Sequence, residues 1–307
     1  MPDSARLISP QGPSRQTLLI GAASALGAIL IWAGWIVATR HAAQTLDISI
    51  VALLRYGIPA VVLMPLWLRV GLVPPGVSNR VLVAMVAGAG TPFLLAAAFG
   101  MRFAPAAEVG PLLPGTMPLF VALLAGLFYR EQMSGLRKAG FALIAAGIAV
   151  IVLPQLVVGT FSEAPGHVLI LASALLWAIY TIALRRSGLS AYDATALISI
   201  WSAITLLPFG VMPLIEALQH GRGPEIAVQA LVQGVLSGIV ATILFAIAIL
   251  RLGPSRAAAF AALLPALVAI LAIPVLGEIP DALAVAGILA ASFGVAFASG
   301  AFDRRAA

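Results

Sequence analysis

The chain has 307 residues, 62% of them hydrophobic and 9% charged, with a net charge of +6 and no cysteine. A soluble domain carries about 25% charged residues because its surface faces water, so this composition excludes an ordinary soluble fold. The absence of cysteine excludes disulfides, thiolate catalysis and cysteine-ligated metals, and the basic residues fall in ones and twos between apolar runs, leaving no patch for nucleic acid.

A helix that crosses the hydrocarbon core of a bilayer needs about 20 mainly apolar residues. Ten such segments are predicted, at 17–39, 47–70, 80–101, 104–129, 135–153, 166–184, 192–214, 225–250, 254–276 and 281–301. Proline, glycine and isolated charge separate them, as with Pro74, Pro75 and Gly76 between Arg69 and Arg80. The fold class is therefore an all-α membrane protein with ten transmembrane helices.

Polar residues at membrane depth are costly and are functional candidates by default. On the first segment Trp32, Trp35 and Thr39 share one helical face. On the second, Arg55 lies roughly 12 Å below the surface marked by Asp47, at about 1.5 Å per residue, with Tyr56 beside it. Gly88, Gly90 and Pro92 in the third segment suit close packing and hinging. In the fourth, Glu108 lies about a turn in, ahead of the breakers Gly110, Pro111, Pro114, Gly115 and Pro118, which leave its path open. Ser173, Trp177, Tyr180 and Thr181 mark a face of the sixth segment. Thr195, Ser199 and Ser202 form a stripe on the seventh, and Gln229, Gln233, Ser237 and Thr242 one on the eighth, where Gly238 suits packing. Glu131 and Glu278 end their helices at the interface. His41, His167 and His220 fall in short predicted loops, as solvated residues rather than metal ligands, and no metal or cofactor is expected.

Each candidate has a plainer alternative. The aromatic faces read either as the wall of a cavity for apolar or aromatic side chains or as an interfacial belt. Arg55 either contacts a substrate carboxylate, forms a latch with Glu108 on the external half of a pathway, or makes a static ion pair with it. Serine and threonine stripes often only pack helices together, whereas a buried glutamine amide carries a larger hydrogen-bonding demand.

Short cytoplasmic loops collect Arg and Lys. With ten helices one side holds Arg6, Arg15, Arg69, Arg80, Arg130, Arg137, Lys138, Arg185, Arg186, Arg251, Arg256, Arg304 and Arg305, and the other Arg40, Arg102 and Arg222. Both termini are thereby expected in the cytoplasm, as tails 1–16 and 302–307.

The two halves repeat. Pro118-x-x-Val121-Ala122-x-Leu124-Ala125 recurs as Pro265-x-x-Val268-Ala269-x-Leu271-Ala272, an offset of 147 residues that also carries Glu131 onto Glu278, Gly140 onto Gly287 and Gly147 onto Gly294. Slightly different offsets align Arg102 and Pro105 with Arg251 and Pro254, and Trp32 with Trp177. Five helices are an odd number, so the second unit, 166–301, enters the membrane from the face opposite to that used by the first, 17–153, across an external loop at 154–165. Inverted repeats of this kind are typical of secondary transporters, with the binding site near the midplane between the halves. The first segment, as the counterpart of the sixth, is expected to be retained rather than cleaved as a signal peptide.

The stretch from Met101-Arg102-Phe103-Ala104-Pro105 through Pro118 to Glu131, repeated from Leu250-Arg251-Leu252-Gly253-Pro254 through Pro265 to Gly277-Glu278, resembles the two EamA-type units of the drug/metabolite transporter superfamily. The resemblance implies a ten-helix exporter with cytoplasmic termini and a central cavity lined from both halves. It also implies a substrate among amino acids, including aromatic ones, or other metabolites and drugs.

An enzyme is disfavoured because no acid–base cluster or activated nucleophile is visible at membrane depth. A selective channel is disfavoured because no ring of charges or filter sequence is present. The reading is therefore a multi-pass protein of a bacterial inner membrane, in contact with lipid and with a small-molecule substrate. It exports amphiphilic metabolites, amino acids first, from a site drawn from Trp32, Trp35, Arg55, Tyr56, Glu108, Trp177, Tyr180, Ser199, Ser202, Gln233, Ser237 and Thr242. With Glu108 and Glu163 the acids left for a proton relay, facilitated efflux is the expected mode.

Overall fold

A computed structural model describes residues 15–129, 133–158 and 163–302. The expectations for Glu131, for the tails 1–14 and 303–307 and for positions 159–162 of the connecting loop lie outside the described residues. The described chain is helical, with no strand among its residues.

The first half begins with α1 (Arg15–Thr45) and continues through α2 (Ile48–Val62), α3 (Met64–Val70), α4 (Asn79–Ala89), α5 (Thr91–Gly100), α6 (Ala106–Leu112), α7 (Met117–Tyr129) and α8 (Gly135–Val158). The second half comprises α9 (Ala164–Ser187), α10 (Ala191–Gln219), α11 (Gly223–Gln229), a π-helical stretch (Ala230–Val240), α12 (Ala241–Leu252), α13 (Pro254–Phe260), a 3₁₀ turn (Ala261–Leu263), α14 (Leu264–Leu276) and α15 (Ala282–Ala298). Among the described residues, eight stretches are long and apolar enough to cross a membrane, or nine if the bent pair α2–α3 is one span. The last predicted segment corresponds to α15, whose 17 residues reach about 25 Å at about 1.5 Å per residue.

Several segments predicted as continuous helices are broken. The 47–70 segment bends by 71° between α2 and α3, where Pro65 sits in the first turn of α3 and cannot donate back to the preceding helix. The 80–101 segment parts at Gly90, with Pro92 opening α5. The Pro/Gly cluster of the fourth segment separates α6 from α7, and Gly115 N–H reaches back to Gly110 O at 3.1 Å. The eighth widens into the π stretch.

Helix starts are capped where water and backbone meet. Asp47, Ser78, Ser190 and Asp281 each accept a backbone N–H from the first turn they precede.

Packing crosses between halves more than it stays within them. α1 lies against α12 and α14, α9 against α4, α5 and α7, α10 against α2, α14 against α6, and α15 against α8. The α8–α15 contact is a glycine seam. A Cβ on Gly140 would meet Gly294 O at 2.7 Å, and one on Gly147 would meet Gly287 O at 2.9 Å. Close approach through small residues is how helices associate in lipid. Because Gly140 faces Gly294 and Gly147 faces Gly287, the two helices run antiparallel.

Candidate functional site

A cavity of about 70 Å³ lies between α2, α4, α9, α10 and the junction of the π stretch with α12. Its lining includes Arg55, Tyr56, Trp177, Tyr180, Ser199 and Thr242 from the predicted site, together with Pro59, Ala89, Thr195, Ile198 and Gly238. Trp177 packs its ring 5.1 Å from Tyr180 and 5.3 Å from Phe93. Tyr56 donates to Ala89 O and Gly90 O, at 2.8 Å each, at the break before α5, where Gly90 O also accepts Leu94 N–H at 3.1 Å. The same break lets Tyr56 be fixed by backbone instead of by another side chain.

Beyond Arg55, outside the cavity's lining, runs a bonded polar ladder. Trp35 Nε1 donates to Gln233 Oε1 at 2.7 Å, and Gln233 Nε2 donates to Thr39 Oγ1 at 2.9 Å and to Gln229 Oε1 at 3.0 Å. Gln229 Nε2 in turn reaches Ala38 O at 3.2 Å. Gln233 has no exposed surface, so the amide holds α1 to the π stretch rather than lining an open path. Arg55 closes this layer: its guanidinium lies 5.3 Å over the Trp35 ring and donates to Gln233 O at 3.1 Å. An arginine held over an aromatic face, with a cavity on its other side, keeps its charge and its planar fork.

Other predicted residues lie elsewhere. Trp32 packs against Phe245 at 5.1 Å. Ser202 accepts Thr91 N–H at 3.2 Å and fixes the start of α5 against α10. Ser237 is buried with its hydroxyl unpartnered.

The expected pairing of Arg55 with Glu108 is not formed. Glu108 in α6 meets His167 instead, with Oε2 2.6 Å from Nε2. His167 is thereby also corrected: it belongs to α9, not to a loop, and is 2% exposed. His41 lies in the last turns of α1 and His220 ends α10, both exposed. α9 begins at Ala164, two residues ahead of the predicted 166, with Pro165 in its first turn, so His167 stands within the helix and not in the loop before it.

A larger cavity of about 370 Å³ was not foreseen. It is lined by Pro118, Val121, Ala122 and Ala125 of α7, Arg137 and Phe141 of α8, Thr181 and Arg185 of α9, Phe245 of α12, and residues of α13 and α15. Thr181 adjoins Tyr180, and Phe245 lies one turn past Thr242, so the two cavities share neighbouring walls. The signal in the sequence was the repeated motif itself. Its first copy lines this cavity, whereas in the second copy Pro265, Val268, Ala269 and Ala272 are buried, and Pro265 packs so closely on α6 that a Cβ on Gly110 would meet its Cα at 2.8 Å.

At the opposite end, among Arg40, Arg102 and Arg222, the helices are tied together. Arg40 Nε pairs with Glu278 at 2.9 Å, and the other carboxylate oxygen accepts Ala106 N–H at 2.6 Å. Arg102 donates to Ala43 O at 3.0 Å. Arg222 bonds both Glu225 and Thr45 O at 2.8 Å. Glu278, expected as a boundary residue, thus joins the ends of α1, α6 and α14.

Residues 19–153 and 164–300 each match the EamA-like transporter family. Among curated proteins, a "probable terminal-alkyne amino-acid exporter" of Streptantibioticus cattleyicolor is 29% identical over 59% of this chain and 60% of its own length. An "uncharacterized transporter" of Bacillus subtilis is 27% identical over 53% and 54%. The chain therefore spans less than two thirds of the length of these relatives. A solved crystal structure aligns over 92% of this chain and 96% of its own with a TM-score of 0.56 and 19% identity, a likeness of fold alone.

Proposed function

Because the chain belongs to the EamA-like transporter family, we propose that it exports small amphiphilic metabolites, amino acids foremost, by alternating access between two inverted five-helix repeats. As a member of that family it is a transporter and not an enzyme. The antiparallel run of α8 and α15, which the repeat makes counterparts, supports the inversion. In this reading α15 is the tenth span, since about 17 residues lie at the short end of what a bilayer accepts.

The observation that carries the proposal is the unequal setting of the repeated motif. Two copies of one sequence occupy one open and one closed environment. A protein that rocks between two states built from equivalent halves has this asymmetry in either state, and exchanging the two settings exchanges the accessible side. By the arginine bias, the open cavity faces the cytoplasm and the tied end faces outward. Substrate enters past Thr181 and Phe245 and meets the aromatic and arginine layer at Trp177, Tyr180 and Arg55.

Amino acids fit that layer because a guanidinium grips a carboxylate through two parallel hydrogen bonds while the rings accept an apolar side chain. The name of the Streptantibioticus relative supports the same class. In proteoliposomes, Arg55→Lys should keep the charge but weaken apparent affinity, and Arg55→Gln should impair carboxylate-bearing substrates more than neutral or cationic ones. Alanine at Trp177 or Tyr180 should shift substrate preference at near-normal membrane abundance. Equal impairment of all substrates by Arg55→Gln, or loss of folded protein with unchanged transport per molecule in the aromatic variants, contradicts the assignment.

A further inference from the structure

Glu278 lies on the short link between α14 and α15, just past Gly277, where α14 ends in the left-handed conformation at φ 69°. From this link in the second half it holds three segment ends of the first, two directly and one through Arg40. One carboxylate oxygen accepts Arg40 Nε, late in α1, at 2.9 Å, and the other accepts the N–H of Ala106, which opens α6, at 2.6 Å. Arg40 Nη1 in turn donates to Met101 O at the end of α5. This tie differs in kind from the α8–α15 seam, where backbone approaches backbone through glycine. Here two long side chains span the contact, 10% and 21% exposed. A guanidinium and a carboxylate that part at a water-facing end are each taken up by water, so the contact opens without stranding a buried charge. The same two residue types recur in the other repeat. The spacing that carries Trp32 onto Trp177 carries Arg40 onto Arg185, and the offset of the repeated motif carries Glu131 onto Glu278. Inverted halves that open alternately to two sides need a closing device of one kind at each end.

We propose that Arg40 and Glu278 form the external gate of the transport cycle. They are bonded while the larger cavity is open, and they part when substrate leaves outward, freeing the ends of α1, α5 and α6 from α14. The gate rests on the alternating-access reading of the two halves and names the contact that has to break within it. It stands apart from the Arg55 cavity, so it does not depend on the identity of the transported substrate.

The test uses Ser199→Cys as a reporter in the lining of the Arg55 cavity, in a chain with no other cysteine. An impermeant methanethiosulfonate reagent labels it from outside in intact cells and from the cytoplasmic side in inside-out vesicles. Glu278→Gln and Arg40→Gln each remove a charge-assisted bond made only while the external side is closed. Each should therefore raise labelling from outside about tenfold and lower it from the cytoplasmic side. A purely structural role for the pair moves both rates in the same direction. Arg102→Gln, which cuts a bond to Ala43 O within the first half, should leave both rates unchanged. Unchanged labelling in both gate variants overturns the gate, as do rates that rise together on the two sides or an equal shift in Arg102→Gln. Counterflow by the wild-type chain tests alternating access separately, so failure there is distinct from unchanged labelling in variants of a chain that passes it. If neither glutamine variant reaches the membrane, Glu278→Asp decides, because it keeps the charge but draws the carboxylate back by one methylene. External labelling should rise there too, and an unchanged rate overturns the gate.

Discussion

Gln233 concentrates more of the interior chemistry than its place in a polar stripe foretold. Its amide satisfies Trp35, Thr39 and Gln229 at once, and its backbone carbonyl takes Arg55. Removing one member strands the others without water to replace it. Trp35→Phe should therefore destabilise the protein by about 1–3 kcal/mol, and Gln233→Leu by more, read as the thermal midpoint in detergent. An unchanged midpoint for both variants would mean that the ladder does not hold α1 to the π stretch. Pairing of Arg55 with Glu108 was one of the arrangements expected for Arg55, since both are charged and lie toward the same membrane face in the second and fourth segments. Their bonding to different partners means that Arg55→Gln and Glu108→Gln should have effects on stability that add to within about 0.5 kcal/mol. A double variant much more stable than that sum would restore the pairing.

At the scale of the helix, glycine decides packing where it faces backbone and is indifferent where it faces open space. A Cβ on Gly140 would stand 2.5 Å from Ala298 N, and one on Gly287 2.5 Å from Ile151 Cγ1, whereas one on Gly126 meets nothing within 4 Å. Gly140→Ala should cost about 1–3 kcal/mol through overpacking, and Gly126→Ala should be neutral or slightly stabilising, because alanine is the better helix former. Equal midpoints for these two variants would count against the seam. Glycine at these positions was visible in the repeat, as Gly140 with Gly287 and Gly147 with Gly294. The facing of Gly140 with Gly294 was not, since it depends on the direction in which the counterpart helices cross.

Hydropathy located the helices because an apolar run of sufficient length has few other fates. Gly88, Gly90 and Pro92 marked a hinge in the third segment, but hydropathy could not place the break at Leu63, because proline close to the start of a new helix and proline inside a continuing one look alike in a single sequence. Pro59, for instance, sits within α2 while Pro65 opens α3. Among the site residues, Arg55, Tyr56, Trp177, Tyr180, Ser199 and Thr242 were drawn to one cavity by the rule that polar groups at depth face the interior. The larger cavity was harder to read because half of its wall is alanine, valine and proline, which mark the repeat but name no chemistry. His167 escaped because histidine near a proline reads as loop.

For the whole molecule, sidedness and exchange are the principal consequences of two inverted halves. The chain has no cysteine, so single replacements report on topology without background. His41→Cys, at an exposed position late in α1, should react with an impermeant maleimide in intact cells, and Asn79→Cys, exposed at the start of α4, only after permeabilisation. The reverse pattern would invert the orientation of the two cavities. The most direct measurement of the central claim is counterflow in liposomes preloaded with an unlabelled amino acid. Alternating access predicts transient, saturable accumulation of the labelled amino acid above its external concentration, sharply reduced in Arg55→Gln. Flux that rises linearly with concentration, or no accumulation for any amino acid in preparations whose family fold is intact, would contradict alternating-access export of amino acids by this chain.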